Sequence, residues 1–159
     1  MNHKDEQIME QLYDKYAKLM FVIAHRILLD DHWAEDAVQE AFFRAYRHRH
    51  GIVDIDSPET RNFLAVITRN VSLNLKKKVR TEAPEDEVRP DEGQLSAETK
   101  VELDDLIHSL PQGQRDVLYL TLQGYTPKEI ASLLGENYHA VRKRLWRARE
   151  ALQHVLNEA

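Results

Sequence analysis

Thr126-Pro127-Lys128-Glu129-Ile130-Ala131-Ser132-Leu133-Leu134-Gly135-Glu136-Asn137-Tyr138-His139-Ala140-Val141-Arg142-Lys143-Arg144-Leu145-Trp146-Arg147-Ala148-Arg149 is the most informative run of this 159-residue chain. Thr126 and Glu129 have capping-box spacing, and Pro127 at the first helical position sacrifices no hydrogen bond. The short helix they start carries Ile130, Ala131, Leu133 and Leu134. Gly135 stops it, because a sharp turn there needs a left-handed backbone that glycine adopts freely. A last helix from about Tyr138 to Leu156 buries Val141, Leu145, Ala148 and Leu152. Small Ala131 suits a close helix crossing, and Val141 packs the second helix back on the first. Residues 127–152 therefore read as a helix-turn-helix.

Charge gives this motif a function class. Between Asn137 and Arg149 there are five Lys/Arg and no acids. His139, Lys143 and Arg147 project opposite the buried face, flanked by Arg142 and Trp146. Cations on the outward N-terminal half of a second helix suit the DNA major groove, where guanidinium groups pair with guanine and ammonium groups neutralise phosphate. The candidate contacts are Tyr138, His139, Arg142, Lys143, Arg144 and Arg147.

Upstream, Leu103, Leu106, Ile107 and Leu110 lie on a helical face, and Pro111-Gln112-Gly113 turns the chain. A helix with Val117, Leu118, Thr121 and Leu122 follows, stopped by Gly124. These elements complete a domain over 103–159. Residues 81–105 carry two Lys/Arg against ten Asp/Glu, so the net charge of −5 is concentrated here. Thr81–Gly93 has Val88 as its single large apolar residue, with two prolines and a glycine. Such a segment cannot bury enough surface to offset its ordering entropy, and 81–102 reads as an acidic linker.

Residues 1–80 balance 13 Lys/Arg against 12 Asp/Glu and predict three helices. Ile8, Leu12, Tyr16, Leu19, Ile23 and Ile27 line one face of the first. The second follows Asp30-Asp31 with an apolar stripe of Ala34, Val38, Ala41, Phe42 and Ala45. Its other side carries Asp36, Glu40, Phe43 and Arg47, beside Gln39 and Arg44. A large aromatic on a charged face reads as an anchor for a protein partner, with the charges setting register. The third helix starts at Ser57-Pro58 and is expected to bury Phe63, Ile67, Val71 and Leu75, ending near Arg80. Arg61, Arg69, Lys76, Lys77, Lys78 and Arg80 make it acid-free over twenty residues, a surface suited to tracking phosphates. The fold class expected is all-α, in two small helical domains.

Composition excludes several classes. With no Cys there are no disulfides, thiolate metal sites or Cys nucleophiles, which fits a reducing, cytoplasmic setting. No run approaches the roughly 20 apolar residues of a membrane span, so no membrane insertion is expected. No catalytic dyad or phosphate-binding Gly loop is present, and neither enzyme activity nor a cofactor is expected. Glu35, Asp36 and Glu40 could bind magnesium only with a second, facing carboxylate cluster, which the third helix does not offer beyond Glu59. His48 and His50 diverge on a helix and lack metal-site spacing.

Ala34-Glu35-Asp36-Ala37-Val38-Gln39-Glu40-Ala41-Phe42-Phe43-Arg44-Ala45-Tyr46 resembles conserved region 2.2 of sigma factors, and Phe63-Leu64-Ala65-Val66-Ile67-Thr68-Arg69-Asn70 is similar to region 2.3. Leu110-Pro111, Gln114–Leu118, Glu129-Ile130-Ala131 and Val141–Arg149 are similar to region 4. Their order, the linker and the short length resemble the extracytoplasmic-function (ECF) group of the sigma-70 family. The resemblance implies an RNA polymerase initiation subunit. Asp36, Gln39, Glu40, Phe43 and Arg44 would dock on bacterial core RNA polymerase. Arg61, Phe63, Arg69, Asn70, Lys76 and Lys77 would read and open the minus-ten element of promoter DNA. The helix-turn-helix would read the minus-thirty-five element, while the linker threads the polymerase interior. A cognate anti-sigma factor is a further partner the resemblance admits. The competing reading is a stand-alone helix-turn-helix regulator, which leaves Phe43 and the linker without a role.

The chain departs from the family pattern at Phe63, where Trp is usual, and at Ala65-Val66, where Tyr-Arg is common. Ala140 replaces a frequent Thr, and Glu136 an apolar residue. Residues 64–80 contain no aromatic, so helix stacking on bases is weak. Opening is expected to rely on a base flipped into the loop of residues 50–57.

Overall fold

The computed structural model describes residues 3–82 and 103–158, a set that is helical with no strand. The chain divides into two compact units, Met1–Asp86 and Glu87–Ala159. Apart from Thr81 and Glu82, which continue a helix, the linker lies outside the described residues.

The first unit packs three helices on one another: α1 (His3–Leu28), α2 (Asp31–Arg47) and α3 (Pro58–Glu82), with a 3-10 turn at Arg49–Gly51. Asp30 caps α2 by accepting from the Trp33 amide at 2.9 Å. Ser57 caps α3, its Oγ accepting from the Thr60 amide at 3.2 Å, with Pro58 at the first position. Leu12, Tyr16, Leu19, Ile23 and Ile27 of α1 are buried as expected, and Ile8 is half-buried. The buried face of α2 is largely alanine: Ala34, Ala37, Ala41 and Ala45 with Val38.

The face that α3 buries differs from the expected one. Phe63, Ile67 and Leu75, expected in the core, are only half-buried; Leu64, Ala65, Thr68, Val71 and Ser72 fill it with Thr60. α3 packs on both α1 and α2, and its covered face is centred on Leu64, Thr68 and Val71 with the small Ala65 and Ser72 beside them, which leaves Phe63, Ile67 and Leu75 at its margin. Burying Thr68 costs little, because its hydroxyl donates to the Leu64 carbonyl at 2.7 Å.

The second unit comprises α4 (Leu103–Ser109), α5 (Gln112–Leu122), α6 (Pro127–Leu134) and α7 (Tyr138–Glu158). Both α5 and α6 pack on α7. Its core holds Leu110, Val117, Leu118, Leu120, Tyr125, Ile130, Leu133, Leu134, Val141, Leu145 and Ala148. Leu122, carried on the same helix as Val117 and Leu118, is 72% exposed; it ends α5, where the inward positions pass to Leu120 and Tyr125. No described helix is long and apolar enough to cross a membrane.

Candidate nucleic-acid interface

The helix-turn-helix forms through the predicted local chemistry. Thr126 Oγ1 accepts from the Glu129 amide at 3.2 Å, and Glu129 Oε1 accepts from the Thr126 amide at 2.9 Å. Gly135 takes a left-handed conformation (φ 65°), and the Glu136 amide bonds back to the Ala131 carbonyl at 3.0 Å. Asn137, unremarked in the sequence, caps α7: its Oδ1 accepts from the His139 amide at 2.8 Å.

On α7, His139, Arg142 and Lys143 are exposed, while Tyr138 and Arg147 are half-buried. The Arg142 guanidinium lies 5.7 Å from the centre of the Tyr138 ring. Arg144 stands apart from this group. Its guanidinium is paired with the Glu136 carboxylate, their side chains only 16% and 3% exposed. The family's apolar position after the turn is thus filled by an acid that neutralises a half-buried arginine. Sequence reading missed this pairing because the two residues lie eight apart and approach only when the turn folds.

In the first unit, α2 brings Asp36, Gln39, Glu40, Phe43 and Arg44 to one side. Glu40 pairs with Arg44 at 3.3 Å and Asp36 with His32 at 3.6 Å, both one turn apart. Phe43 is 64% exposed, yet it is not isolated. It lines an apolar groove of about 950 Å³ between α1 and α2, with Met9, Tyr13, Phe21, Val38 and Tyr46. Tyr13 and Phe42 support its floor with ring centres 5.4 Å apart. Met9, Tyr13, Ala17 and Phe21 recur every four residues, a second stripe beside the α1 core stripe that could have disclosed the groove.

The loop between α2 and α3 bounds a hollow of about 850 Å³ lined by Arg47, His48, His50, Ile52, Asp54, Glu59 and Phe63, among others. Phe63 meets the His48 ring edge-on, centres 6.4 Å apart, so the hollow has an aromatic wall. Along α3, Asn70 and Lys77 are exposed on one side, and Arg69 and Lys76 are half-buried beside them; Arg61 sits at the margin of the buried face. Arg69 donates to Asn70 Oδ1 at 3.2 Å. Among the described residues, no group of His, Asp or Glu is placed to hold a metal.

Two family profiles match the chain: Sigma-70 region 2 over residues 12–82 and Sigma-70, region 4 over residues 100–152. Among curated proteins, the ECF RNA polymerase sigma factor SigL of Mycobacterium tuberculosis is 29% identical over 162 residues, covering 95% of this chain and 90% of that one. The ECF RNA polymerase sigma factor SigW of Bacillus subtilis is 26% identical over 177 residues, covering 97% and 91%. Among solved structures, the sigma factor RpoE in complex with the anti-sigma factor NepR from Bartonella quintana shares the fold at a TM-score of 0.50 and 19% identity, covering 93% of this chain and 96% of that one. With both conserved regions present in order, and full-length ECF relatives aligned across them, this chain belongs to the ECF group of the sigma-70 family of RNA polymerase sigma factors.

Proposed function

We propose that the chain is an alternative sigma factor that docks on core RNA polymerase through the Phe43 face of its first unit and reads promoter DNA with both units, in the cytoplasm. Asp36, Gln39, Glu40 and Arg44 orient the docked partner around Phe43. The hollow beside Phe63, with the α3 residues Arg61, Arg69, Asn70, Lys76 and Lys77, takes the minus-ten strand. Tyr138, His139, Arg142, Lys143 and Arg147 face the minus-thirty-five groove, and Arg144 serves them by holding α7 to the turn through Glu136. The acidic linker over 81–102 threads the polymerase interior between domains of 1–80 and 103–159. A cognate anti-sigma factor is a further partner in this reading, as the similar sigma factor RpoE is in complex with the anti-sigma factor NepR.

The observation that carries this reading is the cationic N-terminal part of α7, acid-free from Tyr138 to Arg149 and exposed at His139, Arg142 and Lys143, mounted in a capped helix-turn-helix. A stand-alone regulator would share that face, but it gives no account of the Phe43 groove. Transcription in vitro with core polymerase on genomic DNA should yield new start sites that depend on the added chain. A reaction with neither a complex nor new starts would overturn the proposal.

Two outcomes test the assigned surfaces. Lys143→Ala or Arg147→Ala should reduce discrimination between target and scrambled minus-thirty-five DNA by about 1–3 kcal/mol if the lost contact reads a base; unchanged discrimination in competition binding removes that residue from the readers. Scrambling residues 50–57 should suppress permanganate reactivity of the minus-ten thymines, because an unstacked base needs a pocket. Normal reactivity would reject capture by this loop.

A further inference from the structure

We propose that α1 positions the loop before α3: Tyr16 and Lys15 hold residues 52–57 in a base-ready form before DNA arrives. This rests on the reading that the hollow receives an unstacked base.

The loop is tied to α1 at two neighbouring points. The Tyr16 hydroxyl donates to the Ile55 carbonyl at 2.5 Å, and Tyr16 is itself buried in the core of the unit. Lys15 forms an ion pair with the Asp56 carboxylate. From the other side, the Asp54 carbonyl accepts from Ser57 Oγ at 2.9 Å and Thr60 Oγ1 at 2.5 Å. Asp54 Oδ1 also accepts from the Asp56 amide at 3.0 Å. Consecutive polar groups of the loop are therefore satisfied by the protein, and the chain turns outward at Val53, which is 96% exposed.

A loop lacking these ties would have to lose its conformational freedom as the base entered, at the expense of capture. Here that ordering accompanies folding, so the base meets a frame already shaped. Burial raises the Tyr16 hydroxyl above its ordinary range, and the hydrogen bond that the Lys15 ammonium donates to Asp56 raises the ammonium. A raised folded-state value means that the stabilising contribution is complete below the ordinary Tyr and Lys range and is lost as pH climbs above about 10. The Tyr16 hydroxyl and the Lys15 ammonium therefore keep their donor protons at neutral pH.

Tyr16→Phe keeps the buried ring and removes the hydroxyl. In the full chain with core polymerase, on a promoter located by transcription, it should slow opening about fivefold by permanganate time course, the effect of losing one hydrogen bond. Amide hydrogen exchange at Asp56 and Ser57 should accelerate, while affinity for core polymerase stays unchanged. Lys15→Met breaks a solvent-exposed pair and should slow opening by less than Tyr16→Phe does, and Lys15→Arg, which keeps the charge, should restore it. Faster exchange with an unchanged opening rate would overturn the proposal. So would slowing that merely tracks a loss of polymerase affinity, since that marks a damaged fold. Normal opening with the scrambled loop sinks base capture itself; slowed opening there with normal opening in Tyr16→Phe sinks only the role of α1.

Discussion

Phe43→Ala weakens the complex with core RNA polymerase by about 2 kcal/mol or more, roughly thirtyfold in Kd. Phe43 is 64% exposed in the free chain, so truncating it empties no core position and leaves the three-helix unit folded. What is lost is the surface that docking would cover. Burying roughly 100 Å² of ring at about 25 cal/mol per Å² accounts for an effect of this size. The groove directs that surface: Tyr13, Met9 and Tyr46 give the ring an apolar border, and the Glu40–Arg44 and His32–Asp36 pairs lie on its own helix. Neutralising one of those exposed pairs should matter far less, because solvent screens it. Titration of labelled core polymerase checks the prediction, with thermal melting as the folding control. Equal affinity for the variant and the original chain would reject Phe43 as an anchor.

Glu136→Gln destabilises the second unit by about 3 kcal/mol, because it leaves the Arg144 guanidinium in a mostly buried place without its counter-charge. The Glu136 side chain is 3% exposed and that of Arg144 16%, so water restores little of the lost solvation. The double variant Glu136→Leu with Arg144→Met should recover most of this stability, since well-packed apolar groups replace a buried ion pair at little cost. A denaturant titration of the full chain, followed by Trp146 fluorescence with Trp33→Phe to silence the first unit, isolates the effect. Additive rather than compensating changes would show that the two residues do not act as a pair. The double variant also probes DNA reading. If Arg144 contributes only by holding α7, minus-thirty-five discrimination survives its removal whenever the fold does.

The start and stop of the first helix of the helix-turn-helix were legible in the linear chain, although the Asn137 cap of the second was not. A capping box, a proline at the first helical position and a left-handed glycine act within three or four residues, so Thr126, Pro127, Glu129 and Gly135 announce their geometry without reference to anything distant. The core stripes of α1 and α7 were legible for a related reason, since helical periodicity alone puts Leu12, Leu19 and Ile23, or Val141, Leu145 and Ala148, on one side. Three matching motifs in order were enough to point to the family.

Tertiary packing settled matters that depend on which surfaces meet. It turned α3 so that Ala65, Thr68 and Ser72 are buried and Phe63 lines a hollow, because which face of a helix is covered depends on the helices it packs against. It left Leu122 outside, set Phe43 in a groove whose other wall comes from α1, and joined Glu136 to Arg144 across a turn. It also tied Tyr16 and Lys15 to a loop some forty residues away in sequence. Periodicity assigns a residue to a face of its own helix; what that face meets depends on residues remote in the chain, and no pattern within one helix encodes them.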